Sequence, residues 1–299
     1  MTARFVRTFF AAFLMTAVAV VPIRAQAMRK VEYAARFDAR GSLRIWNTAG
    51  SIRVTGWDRD SVIVRGSVPA DQRFICGGGN TGMKCAVDVP PRNDGKEPGS
   101  NLELFVPRKA QLWIKSSSAE IAVTGFEGNL DAYSVSGSIR VEGDAQTIAL
   151  ESMAGPLDVQ ANATTLRAKT ASGEVRITGD VEDAQATSVS GNITVSASRI
   201  LRGRFESIGG HTTWLGGVMP RAMLEFSSHA GAIELRLPPT TAADVTVSSF
   251  EGRFRSDFAA AERARRDTKG RELRFTLPGD HGASITIRNF RGDIHLLRR

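Results

Sequence analysis

Serine followed three residues later by glycine recurs through this chain, and a Ser-Gly loop is a place where a nucleophile can sit. The pattern is clearest in SVSGSIRV from Ser134, SMAGPLDV from Ser152, TASGEVRI from Thr170 and SVSGNITV from Ser188, each starting 18 residues after the last. Aligned on the glycine, the register takes in Gly50, Ala119, Gly137, Gly155, Gly173, Gly191, Gly210, Gly231, Gly252 and Gly292. Three residues before these anchors stand Asn47, Ser116, Ser134, Ser152, Thr170, Ser188, Ser207, Ser228, Ser249 and Asn289. A position filled so often by Ser, Thr or Asn reads as a structural corner, where a short polar side chain bonds neighbouring backbone amides, and not as a reacting group. Glycine at the anchor allows a left-handed backbone or close approach of another chain segment. Ala119 points to close approach, because alanine tolerates the left-handed region poorly.

Other residues could act at a surface. Three positions after the anchors lies an outward column with charges of both signs, including Arg140, Asp158 and Arg176 on successive repeats. Stacked in register, Asp158 falls between two guanidinium groups. This stripe, with Trp57 in the TGWDRD turn, is a candidate surface for an anionic polymer. The column has no paired carboxylates of the kind that bind calcium or hydrolyse glycosides. His211 and His229 sit at different offsets from their anchors, so they do not share a column. Cys76 and Cys85 are the only cysteines and read as a local disulfide, since no other thiol or His nearby completes a tetrahedral metal site. No catalytic residue, metal site or cofactor is expected.

The elements that position these residues follow from the apolar pattern around each anchor. Apolar pairs lie two and four residues after it, as in Ile139 and Val141, and seven and five before it, as in Leu130 and Ala132. Alternation at period two marks a half-buried strand. A repeat of 18 residues with two short strands cannot enclose its own core, so copies must stack, each strand pairing in parallel with its counterpart about 4.8 Å away. The expected fold is all-β, a parallel β-helix (β-solenoid) with ~18-residue coils. Hexapeptide acyltransferases share that coil length, but they need an aliphatic residue every six positions. From Ile139 those positions hold Ala145 and Glu151, so the enzyme pattern fails.

Residues 28–299 read as a single domain with insertions at about 69–100 and 257–270. The first holds the cysteine loop and PPRNDGKEPGS. The second, DFAAAERARRDTKG, has helical composition with Asp257 as N-cap and Gly270 as stop. Val31 to Phe37 and the Arg298-Arg299 end are the candidate caps of the stack. Ahead of the domain, Arg4 and Arg7 precede an apolar run to Ile23 and the small-x-small Ala25-Gln26-Ala27, the features of a signal peptide over residues 1–27. Removing it leaves 36 basic against 31 acidic side chains, net +5, and no transmembrane segment. An exported chain of this kind, periplasmic or extracellular, does not ordinarily meet nucleic acid.

AGSIRVTGWDRDSVIV, the run of S-x-S-G-x-I-x-V units, and the closing RLPPTTAADVTVSSFEG and NFRGDIHL resemble the bacterial β-strand-repeat putative-adhesin family of unknown function. The resemblance implies an exported or membrane-tethered β-solenoid with cell-envelope functions and brings no catalytic residues. The sequence thus predicts a non-enzymatic, envelope-associated binding or adhesin-like scaffold whose partner is a polymer, peptide or protein. The alternative is a β-helix carbohydrate-active enzyme acting on an anionic polysaccharide.

Overall fold

A computed structural model describes residues 27–90, 98–197, 199–262, 272–279 and 282–299. The leader therefore lies outside the described residues but for Ala27, and so does Gly270. The described chain is all-β, with twenty-four strands in one hydrogen-bonded sheet that does not close and a single four-residue helix, Ala259–Glu262. The Asp257 carboxylate accepts from the Arg298 N–H at 3.1 Å and so ties down the Ile294–Arg298 strand; among the described residues it accepts from no helix N–H.

Each repeat contributes two strands, and both pair in parallel with the same strands of the neighbouring repeat. Leu130 stands opposite Leu112 and Ile148, and Ile139 opposite Ile121 and Leu157, so the pairing offset is the 18 residues of the sequence repeat. Most strands alternate between buried and outward side chains, as in the burial of Leu166, Ala168, Val175 and Ile177. Like residues meet in columns along the core, and each column shields its members from water over the length of the stack.

Glycine fixes how closely the repeats approach. A Cβ placed on Gly137, Gly155, Gly173, Gly191, Gly210 or Gly231 would overlap the backbone carbonyl of the preceding anchor. None of these glycines has a positive φ, so close approach, and not a left-handed turn, is what their column requires. Gly50 differs, with φ at 100°. Four of the ten polar corner residues bond a backbone amide as the sequence suggests. Ser116, Thr170, Ser207 and Asn289 accept from the N–H three residues on, at 2.7, 2.9, 2.9 and 3.0 Å. Ser249 instead donates to the Gly252 carbonyl, and Asn47 donates to that of Ser100. The Ser134, Ser152, Ser188 and Ser228 hydroxyls have no hydrogen-bond partner in the protein, so at those repeats small size is what the corner uses.

The repeats do not stack in chain order at either end. The Gly50 repeat lies between Gln111–Thr124 on one side and the strands Gly82–Asp88 and Ser100–Pro107 on the other. The 69–100 segment thus supplies strands to the sheet, and within it Cys76 and Cys85 face each other across the hairpin of Arg73–Gly79 and Gly82–Asp88 and form a disulfide. At the far end Ala283–Arg298 is slotted between Met223–Leu237 and Ala243–Ser256, which precede it in the chain. Antiparallel strands finish both ends: Ser61–Pro69 and then Met28–Arg36 at one, Glu272–Leu277 at the other. The Val31 region is an outer strand, whereas the Arg298 strand is interior to the stack, contrary to its expected capping role.

Around Gly210 the repeat lengthens and its apolar pattern changes to Thr212 and Trp214. Trp214 is nevertheless fully buried against Phe205 and Phe226, at ring separations of 5.8 and 5.9 Å. Gly203 stands where other repeats carry Leu, Ile, Val or Ala, and a Cβ there would press on Phe205 and Leu224. Small and large residues therefore exchange volume across this part of the core.

Gly173→Ala forces a methyl into the Gly155 carbonyl and is expected to lower unfolding free energy in urea by about 1–3 kcal/mol. Gly209→Ala, whose added methyl would come no closer than 3.7 Å to the Val189 carbonyl, should change it by less than about 0.5 kcal/mol.

Candidate functional site

The predicted charged stripe exists as a column but is internally neutralised. Asp158 stands between Arg140 and Arg176 in register. Arg140 donates from Nε and Nη2 to Asp158 Oδ2 at 3.2 and 2.9 Å, while Arg176 turns to Glu174, two residues before it, at 2.9 Å. The other Asp158 oxygen is buried without a partner. Trp57 is not brought to this stripe: it lies four positions beyond Arg53, the column's member in its repeat. Its indole donates to the Ser61 carbonyl at 2.9 Å and its ring leans on Phe105 at 5.5 Å, a supporting role within the terminal repeats.

A different column stands out. Two residues before each anchor, between the corner residue and the buried glycine, the side chain is thrust outward. Val135, Met153, Val189, Ile208, Phe250 and Phe290 occupy that position and are among the few large apolar side chains left exposed, Met153 and Ile208 by more than half. Single exposed apolar residues mean little, but a file of them along one edge marks an interaction surface.

At the far end this ridge becomes an aromatic ladder. Because Ala283–Asn289 pairs with both Met223–Ser228 and Ala243–Ser249, Phe290 is inserted between His229 and Phe250. The His229 and Phe290 rings stack at 4.9 Å and 8°, and the Phe290 and Phe250 rings at 4.8 Å and 12°, the spacing of the strands beneath. Arg291 lies over the Phe290 ring at 5.7 Å and pairs with Glu251 at 3.4 Å, bracing it. Beside the ladder runs an open groove of about 610 Å³ whose other wall is Thr187, Glu206, Ser227, Arg288 and Ser248. Backbone donors along its floor are already used between repeats, as in Gly209 N–H to Val189 O at 2.8 Å and Glu251 N–H to Phe290 O at 2.9 Å. Strand addition, which needs unpaired main-chain donors, therefore does not suit this floor.

The column two before the anchor was open to sequence reading, since the anchors define it. Its residue types vary too much to announce it, and His229, Phe250 and Phe290 become neighbours only through strand order.

Little here is arranged for acid–base chemistry. Among the described residues there is no group of three or more His, Cys, Asp or Glu able to hold a metal, and no helix is long and apolar enough to cross a membrane. Asp131 is the one carboxyl among them held above its ordinary range, first by partial desolvation against the sheet surface and then by the charge of Glu151. It lies opposite Trp113 and Ala149, several strands before the aromatic ladder.

No protein-family model and no curated relative matches the chain. Solved structures do resemble it in fold. A "putative adhesin" from Parabacteroides distasonis ATCC 8503 aligns at 10% identity and TM-score 0.54, covering 92% of this chain and 98% of that one. A "putative adhesin" from Parabacteroides merdae ATCC 43184 aligns at 7% identity and TM-score 0.51, covering 89% and 95%. At such identities the likeness is one of fold.

Raising Asp131's pKa means that the folded state holds this proton to higher pH than the unfolded chain does. Its ionisation therefore penalises folding as pH rises from the unfolded value, near 4, through the folded one. Asp131→Asn should melt above the wild type at pH 7, with the difference vanishing as pH falls below about 4 in thermal scans.

Proposed function

We propose that this chain is an exported parallel β-solenoid that acts without catalysis as an adhesin-like binding scaffold of the cell envelope, with the corner ridge and its groove as the binding surface. The observation that carries this reading is the exposed file ending in the His229–Phe290–Phe250 ladder, which the core does not need. Burying such side chains against a partner recovers about 1.5–3 kcal/mol each. Parallel pairing at the repeat offset supports the solenoid. The Cys76–Cys85 disulfide and the leader-like residues 1–27 support export, because disulfides persist in oxidising compartments. The adhesin descriptions of the fold neighbours agree with a binding role.

The test is retention of envelope fragments from the producing cell on the immobilised mature protein. Ile208→Glu combined with Phe290→Ser should weaken retention about tenfold or more per side chain, while Gly209→Ala leaves it unchanged. Equal retention by the double variant removes the ridge from the function.

A further inference from the structure

A second outward surface lies near the other end of the stack, on strands Gly82–Asp88, Ser42–Asn47, Gln111–Ser116 and Asn129–Ser134. One row across these strands runs Trp46, Lys115, Tyr133, and a parallel row two residues away runs Lys84, Arg44, Trp113. Cations and rings interleave: Lys115 is 5.2 Å from the Trp46 ring centroid and 5.5 Å from that of Tyr133, Lys84 is 5.9 Å from Trp46, and Arg44 is 5.9 Å from Trp113.

Two features of this face work against the fold taken alone. Trp46 and Trp113 are left 42% and 39% exposed. Lys84 and Arg44 stand directly opposite each other on paired strands, a like-charge arrangement that destabilises a sheet. Elsewhere on the surface the arginines Arg140, Arg176 and Arg204 have carboxylate partners. Here the cations face rings, which steady a charge without neutralising it. The result is one cation without a carboxylate partner on each of three successive strands: Lys84 and Arg44 side by side at the strand step of about 4.8 Å, and Lys115 on the next strand, two residues further along. Asp131 and Glu151 bound the patch on its far side.

We propose that this face binds an anionic polysaccharide, its carboxylate groups paired with Lys84, Arg44 and Lys115 and its sugar rings packed against Trp46 and Trp113. Three cations fixed on successive strands, with rings held between them, fit a polymer that carries an anion on each sugar, and fit a fluid lipid surface less well. The choice of a sugar polymer over single-stranded nucleic acid rests on the proposed export of the chain, since an exported protein does not ordinarily meet nucleic acid. The proposal is independent of the ridge groove.

Polygalacturonate, with one carboxylate per sugar, is the probe, and tryptophan emission with calorimetry is the readout. Binding should shift emission at low salt, weaken as salt rises, and fall about tenfold for each of Arg44→Gln, Lys84→Gln and Lys115→Gln. Trp113→Ala should weaken it too, and Ile208→Glu should leave it unchanged. These positions are on the outward face, and circular dichroism of each variant confirms that the fold is kept. The proposal is overturned if polygalacturonate does not bind at low salt, if neutral dextran binds as well, or if the three glutamine variants bind like the wild type. Tighter binding of phosphatidylglycerol vesicles or of oligothymidylate than of polygalacturonate overturns it equally.

Discussion

Backbone-to-backbone contact at the anchor glycines sets the geometry on which everything else rests. From Gly137 to Gly231 each anchor glycine sits against the carbonyl of the anchor before it, with no room for a side chain between them. This approach holds the corners at strand spacing, so both strands of every repeat can pair in register. It also decides what its neighbours do. The residue three earlier turns inward and must be small and polar. The residue two earlier has nowhere to go but out, and the ridge is the outward consequence of a tightly packed corner.

The core tolerates variation where volume is balanced. Around Gly210 the inner column loses its aliphatic residue to Thr212, yet Trp214 and Phe205 fill the space that Gly203 leaves. Inside, the stack accepts aromatic residues as fillers. On its surface it places them in files, and those files carry the two proposed recognition surfaces at opposite ends of the molecule. Between them the outward columns are mostly ion pairs such as Arg140 with Asp158, exposed contacts that contribute about 0–1 kcal/mol each and chiefly prevent like charges from meeting.

Much of this was legible in the residues. The anchors gave the offset at which Leu130 meets Ile148 and Arg140 meets Asp158, and Ala119 announced that close approach mattered more than φ. What could not be read was the order of strands at the ends, because pairing between chain-distant repeats is chosen by the whole stack and leaves no local mark. That is why the Arg298 end was mistaken for a cap, and why Phe290 was not seen as a neighbour of His229. Trp46 and Trp113 give no local sign of their surroundings for the same reason: Lys84 reaches Trp46 only once the cysteine hairpin has joined the sheet, and Lys115 and Arg44 meet Trp46 and Trp113 through the pairing of Ser42–Asn47 with Gln111–Ser116.

The slotted strands Ala283–Arg298 also dictate an order of assembly. As the chain emerges, the Gly252 repeat follows directly on the Gly231 repeat, yet its seat lies one place further out. It must wait, unpaired on that side, until residues synthesised about forty positions later fill the gap, so early docking onto Met223–Ser228 would lock in a wrong stack. The aromatic ladder is built by that same late insertion. A molecule that stacks its repeats in simple chain order would keep most of its core but present Phe250 directly beside His229, so the surface reports whether folding reached its proper end.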